Sequence, residues 1–284
     1  MFIKNLIFIL FITLLMAAFS VQVRTQILLD TRNIESRLYL GTGENQPLIV
    51  GLGGSEGGNA WASDYWKNTR DEFIRRGYAF LAIGYFGSKN TPEMLDRISI
   101  NEVYNSINIA AKNPKISEKR IAVIGGSRGG DLALLIASYY KEIKCVVAIV
   151  PSHVAFPGHT KEFTTSAWTF NGKELPFVPV SEESVPFLIK GDLRSTFETM
   201  LKDKKAEKKA LIKVEKINGP VLLMSATKDE IAPTTLMSEK MISRLKRKKF
   251  KKHYEHIAIE GSHMQPLKHF DKVYDFLETY FPNS

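Results

Sequence analysis

The chain has 284 residues, of which 44% are hydrophobic and 11% aromatic, enough to bury a substantial core in one large α/β domain. A formal net charge of +9 bears on association with anionic partners and excludes no chemistry. The single cysteine, Cys145, excludes an intramolecular disulfide, and its apolar run Cys145–Val150 reads as buried core.

Lys4 precedes an almost unbroken apolar stretch from Leu6 to Phe19, followed by Ser20, Val21, Gln22 and Arg24. That is the pattern of a secretory signal peptide, with Ala18-Phe19-Ser20 as a cleavage site, and residues 1–24 are set apart from a domain over 25–284. Met1–Val23 is also just long enough to span a bilayer, so the expected location is exported, periplasmic or secreted, or anchored to the membrane by an uncleaved N-terminus.

Beyond the leader, a short strand pair is predicted over Ile27–Leu29 and Arg37–Leu40. Apolar runs follow at Pro47–Gly51, Ala79–Tyr85, Ile121–Ile124, Cys145–Val150, Val221–Met224 and His256–Ile259, the form taken by strands covered on both faces of a parallel sheet. Helical periods separate them at Ala60–Arg76, Ile100–Lys112, Gly129–Tyr140, Pro233–Leu245 and Pro266–Tyr280. The alternation predicts an α/β fold with a doubly wound, mostly parallel sheet. Residues 152–219 break the rhythm, being aromatic, then lysine-rich, and are read as an inserted lid or cap. Trp168, Phe170 and His159 within it are the candidate substrate-binding residues.

Gly125-Gly126-Ser127-Arg128-Gly129 follows an apolar run and opens a helical one, the strand-turn-helix context of a G-x-S-x-G nucleophile elbow. Such a turn presents the Ser127 hydroxyl above the sheet and aims the Arg128 backbone N–H at a developing oxyanion. In this fold the acid and the base follow the nucleophile in chain order. Asp229 lies a few residues past the strand ending at Met224, with Glu230 as its rival, and His263 lies four residues beyond Ile259. Ser127, Asp229 and His263 are therefore the candidate catalytic residues. The glycine-rich Leu48–Gly58 loop is expected to supply the second oxyanion donor, from Gly54 or Ser55.

Neither G-x-x-x-x-G-K-[ST] nor G-x-G-x-x-G occurs, and no H-E-x-x-H or C-x-x-C is present, so neither a cofactor nor a metal is expected. The basic run Arg244–Lys252 is read as a solvated helix end, and no nucleic-acid partner is expected.

Gly51–Gly58, Gly126–Gly130, Ser166–Pro179 and Gly219–Asp229 together resemble the C-terminal catalytic domain of the acyl-CoA thioesterase and bile acid-CoA:amino acid N-acyltransferase family, within the dienelactone hydrolase-like α/β-hydrolases. The resemblance implies the α/β-hydrolase fold and a Ser or Cys nucleophile paired with Asp and His, which falls on Ser127, Asp229 and His263. The larger members carry an N-terminal β-sandwich domain, for which this sequence has room only for a leader and a hairpin. The conjugating members use cysteine as nucleophile, so Ser127 fits hydrolysis better than transfer. Export adds an objection to the family's substrate, because coenzyme A is cytosolic.

The leading expectation is thus a serine hydrolase of a small-molecule carboxylic ester or thioester, working through an acyl-enzyme at Ser127. Transfer of the acyl group to an amine or alcohol stays open, as does a noncatalytic binding protein associated with the membrane through its N-terminus.

Overall fold

The structure, a computed structural model, describes residues 25–283, so the leader expected over residues 1–24 lies outside it. Eight strands form the main sheet: β1 (Thr25–Leu29), β2 (Glu35–Leu40), β3 (Gln46–Leu52), β4 (Ala79–Gly84), β5 (Ile116–Gly126), β6 (Ile143–Ile149), β7 (Val221–Ala226) and β8 (Tyr254–Ile259). Their spatial order is β1-β2-β4-β3-β5-β6-β7-β8. β2 runs antiparallel to β1 and β4, and every pairing from β4 to β8 is parallel. This is the doubly wound, mostly parallel sheet expected from the alternation.

The continuous apolar runs have a simple cause. Along β5, Ile121 and Val123 enter one core and Ala122 and Ile124 the other; along β6, Val146 and Ala148 oppose Cys145, Val147 and Ile149. Side chains alternate across a strand, so a strand buried on both faces must be apolar at every position. Each fully buried aliphatic side chain contributes about 1.5–3 kcal/mol, which makes this sandwich the dominant stabilising term.

Helices cover both faces: α1 (Lys67–Arg75), α2 (Ile100–Ala111), α3 (Arg128–Tyr139), α4 (Val185–Ile189), α5 (Leu193–Met200), α6 (Lys204–Ala210), α7 (Thr234–Arg247) and α8 (Phe270–Tyr280). The helix expected over Ala60–Arg76 is instead a single 3-10 turn at Ala60–Ala62 followed by α1. The buried Arg70 guanidinium takes the carbonyls of Trp61 and Ser63, and the Trp61 and Trp66 rings stack with centroids 4.4 Å apart. Those tertiary bonds outweigh continuation of the helix. The last predicted helix is broken the same way, into a turn at Gln265–Lys268 and α8.

The segment 152–219 holds α4, α5 and α6 and two short strands, Trp168–Phe170 and Lys173–Glu174, which form a small sheet with Ile98–Ser99. Its own core of Val154, Phe156, Val178, Met200, Leu201 and Ala210 closes on Met237 of α7. A polar cluster adds a second attachment. Glu207 of α6 bonds His153 at 2.8 Å, Lys204 at 2.9 Å and Lys240 of α7.

Burial raises the Glu207 pKa, but the hydrogen bonds from Lys240, His153 and Lys204 outweigh it and hold the carboxyl down at about 2, against an ordinary 4.5. A depressed carboxyl pKa stabilises the fold above the unfolded value and loses that contribution as pH falls through the folded one. Glu207→Gln is therefore expected to lower the thermal midpoint at pH 7, with the gap from wild type shrinking between about pH 4.5 and pH 2. Melting curves across that window check it.

Candidate active site

The local geometry begins at the junction of β5 and α3. Ser127 stands between them with φ 52° and ψ −123°, a conformation that L residues rarely adopt. Its backbone is held by Ser127 N–H to the Ile149 carbonyl at 2.8 Å and by Gly130 N–H to the Ser127 carbonyl at 2.9 Å. The neighbouring glycines make room for this turn. A Cβ on Gly125 would stand 2.0 Å from the Gly129 carbonyl oxygen, and one on Gly129 would stand 2.3 Å from the Gly53 carbonyl oxygen. Strand, helix and the loop after β3 meet there backbone to backbone. Gly126 is different, since its nearest neighbour would be the Leu267 side chain at 3.6 Å.

The loops after β7 and β8 carry Asp229 and His263, the expected acid and base. His263 Nδ1 lies 2.9 Å from both Oδ1 and Oδ2 of Asp229, and both residues are buried. Asp229 also accepts from Ile231 N–H at 2.9 Å, Ala232 N–H at 3.1 Å and the Thr234 hydroxyl at 2.7 Å. Burial raises the Asp229 pKa, but the His263 bond and charge, with Thr234 and Ala232, outweigh it, so the carboxyl sits below the usual range. An ionised carboxylate can only accept, so Nδ1 carries the imidazole proton and Nε2 is left as a base. Glu230, the rival acid, serves another end: its carboxylate accepts His263 N–H at 2.9 Å and fixes the loop backbone.

Ser127 and His263 both line one cavity of ≈ 960 Å³. Among the described residues no hydrogen bond joins them, an arrangement that unliganded sites tighten when substrate binds. Arg128, the expected first oxyanion donor, is the first residue of α3, so its amide is one of the N-terminal N–H groups that the helix itself does not use. Gly54 lies against the serine, its missing Cβ direction 3.2 Å from the Ser127 Cβ, but its N–H donates to the Glu56 carboxylate at 3.0 Å. One of the two expected second donors is thus occupied by a side chain of its own loop, two residues along. Ser55 is exposed at the cavity rim. Tyr85 steadies the same loop by donating to the Gly53 carbonyl at 2.6 Å.

Of the expected substrate contacts, His159 lines the cavity, and burial together with the Arg128 charge holds its imidazole at about 4, hence neutral at pH 7. Trp168 and Phe170 do not line it. Trp168 is fully buried in the core beside Tyr85, and Phe170 stacks on Tyr139 of α3 at 4.0 Å. The small sheet carries both side chains toward α2 and α3 and away from Ser127. The apolar wall comes instead from Phe156, Phe163, Phe197 and Met200, with Trp61 and Trp66. Phe197 and Met200, three apart on α5, were the available signal, being one helical face.

Arg128 also lines the cavity; its guanidinium Nη1 lies 3.5 Å from Asp131 and its Cζ lies 5.4 Å from the Phe156 ring centre and 5.9 Å from that of Phe197. Burial pushes the Asp131 carboxyl up to about 7. Among the described residues no cluster of three or more His, Cys, Asp or Glu side chains is arranged to hold a metal ion.

A family model described as BAAT / Acyl-CoA thioester hydrolase C terminal matches residues 103–266, and one described as an alpha/beta hydrolase of unknown function matches residues 19–162. The chain is 27% identical to mouse acyl-coenzyme A amino acid N-acyltransferase 1 over 173 residues, 60% of this chain and 38% of that protein. It is 36% identical to human acyl-coenzyme A thioesterase 6 over 73 residues, 26% of this chain and 17% of that one. The chain thus spans well under half the length of these relatives. Among solved structures, the acylaminoacyl peptidase of Pyrococcus horikoshii superposes with a TM-score of 0.67 at 14% identity, covering 95% of this chain and 44% of that one. The fold is the α/β-hydrolase fold.

The backbone contact at the elbow separates two neighbouring glycines. Gly125→Ala is expected to lower the thermal midpoint by roughly 5–10 °C, because the added methyl meets backbone that cannot yield. Gly126→Ala is expected to leave it nearly unchanged, and parallel melts of the two variants check the contrast.

Proposed function

The chain belongs to the BAAT / acyl-CoA thioester hydrolase C-terminal family, and from that premise we propose that it is a serine hydrolase cleaving carboxylic esters or thioesters through an acyl-enzyme at Ser127. The observation that carries this reading is the buried Asp229–His263 pair opening, with Ser127, on one largely apolar cavity. His263 Nε2 takes the Ser127 proton as Oγ attacks the acyl carbonyl, and Asp229 stabilises the imidazolium so formed. The negative charge that develops on the carbonyl oxygen is met by the Arg128 N–H. Gly54 N–H joins it once Glu56 swings out. The imidazolium returns its proton to the leaving alcohol or thiol; water, activated by the same base, then releases the acid.

The cavity is roomy enough for a medium-length acyl chain along Phe156, Phe197 and Met200. Acyl-CoA is the thioester that the relatives' names suggest. The leader pattern at Leu6–Phe19 supports export of the mature domain, where other esters and thioesters would be met. A second reading, transfer to an amino acid, is favoured by the mouse relative named as an N-acyltransferase. Product analysis with glycine competing against water separates the two, the free acid being expected as the main product.

The test is turnover of p-nitrophenyl hexanoate and hexanoyl-CoA by wild type, Ser127→Ala and Glu56→Ala. Ser127→Ala is expected to lose at least about 10⁴ in kcat. Glu56→Ala, by freeing the Gly54 amide and removing a carboxylate beside the oxyanion, is expected to raise kcat about threefold or more. Full activity in Ser127→Ala would overturn the reading.

A further inference from the structure

Arg128 is buried, 8% exposed, and is the one arginine or lysine among the described residues lining the cavity. A guanidinium has five N–H donors in a planar fork, and a buried one is costly unless those donors are met. Elsewhere in this molecule such a fork is met: Arg244 closes on Glu215 through two parallel bonds of 2.6 and 2.6 Å. Arg128 is not closed in this way. Its Nη1 is 3.5 Å from Asp131, a single ion-pair contact, and that buried nitrogen has no hydrogen-bond partner. Asp131 divides its carboxylate, Oδ1 accepting Ser152 N–H at 2.6 Å while Oδ2 is the oxygen 3.5 Å from Arg128. The Phe156 and Phe197 rings of the insertion, 4.6 Å apart, lie together on one side of the guanidinium at 5.4 and 5.9 Å.

The other carboxylates and the remaining imidazole around the cavity are placed differently. Glu56 is on Gly54 N–H, Asp229 is behind His263, and His159 presents an imidazole close to Arg128. The result is a largely apolar chamber with one buried guanidinium beside the proposed nucleophile, its Nη1 without a hydrogen bond and paired with Asp131 only at 3.5 Å.

We propose that the acyl group of the substrate carries a second, anionic group, a carboxylate in the simplest case, which docks on the Arg128 guanidinium. The anion belongs to the acyl side because the guanidinium is enclosed by the insertion, whereas the leaving group must depart to solvent. This assignment rests on the hydrolase reading above and narrows it to half-esters or half-thioesters of dicarboxylic acids and their chemical equivalents. A carboxylate opposite a desolvated guanidinium forms charge-assisted bonds worth about ten- to a hundredfold in affinity.

The test compares mono-p-nitrophenyl adipate with its methyl ester, which has the same chain and no charge, and with the hexanoate ester of 4-hydroxybenzenesulfonate, which places the anion on the leaving group. Wild type is expected to favour the adipate half-ester over the methyl ester by at least about tenfold in kcat/KM, after subtraction of the uncatalysed rate. In the double variant Arg128→Gln/Asp131→Asn, which leaves no unpaired buried carboxylate, the ratio is expected to fall toward one. The ratio is the readout, since both rates are free to move, and the wild-type comparison stands if the variant does not fold. A wild type that prefers the methyl ester, a ratio that survives in the folded double variant, or a preference for the sulfonated leaving group instead would each overturn the proposal. Failure of the underlying hydrolase reading looks different: no ester turns over and Ser127 takes no fluorophosphonate label, which removes both conclusions together.

Discussion

The close approach of three backbones at Ser127 is the constraint on which the rest of the structure depends. The end of β5, the start of α3 and the loop after β3 come together at distances that no Cβ at Gly125 or Gly129 would permit. That approach forces Ser127 into a strained conformation at the edge of the cavity, with Arg128 opening α3 immediately after it. The sheet absorbs the strain. Hydrogen bonds through Ile149 and Gly130 over-determine the turn, and the double-sided apolar core fixes where β5 and β6 lie.

Around that point the molecule divides its polar groups by task. Asp229 is saturated with donors and held ionised, which commits the His263 proton to Nδ1. Glu230, next to it, spends its carboxylate on the backbone of the same loop. Glu56 and Arg128 are the two charges not absorbed by this arrangement. One sits on the amide expected to receive an oxyanion, and the other lines a largely apolar chamber with its Nη1 held only by a 3.5 Å ion pair. Taken with the insertion's aromatic wall, they give the cavity a polarity that the proposed roles of Ser127, Asp229 and His263 alone do not require.

Much of this was legible in the sequence because it is local. The elbow motif states a backbone demand, and the runs at Ile121–Ile124 and Cys145–Val150 state burial on both faces, so the fold class and the pairing of Asp229 with His263 followed from periodicity and order. What was not legible is set by contacts distant in the chain or by side-chain direction. Trp168 and Phe170 lie in the segment that walls the cavity, yet the small sheet turns both toward α2 and α3. The helical pattern over Ala60–Arg76 is broken by Arg70 reaching back to carbonyls that a continuous helix would have used. Arg128 was read for its amide, and only the packing of Phe156 and Phe197 shows what its side chain faces.

The measurement that bears most directly on the account is a crystal structure of the mature protein after reaction with a fluorophosphonate carrying a hexyl chain. The account predicts one adduct, phosphorus bonded to Ser127 Oγ, with the phosphoryl oxygen within hydrogen-bond distance of the Arg128 and Gly54 amides, Glu56 displaced, and the chain lying along Phe156 and Phe197. An unmodified Ser127, or an adduct whose phosphoryl oxygen points away from the Arg128 amide while Glu56 stays on Gly54, would contradict it.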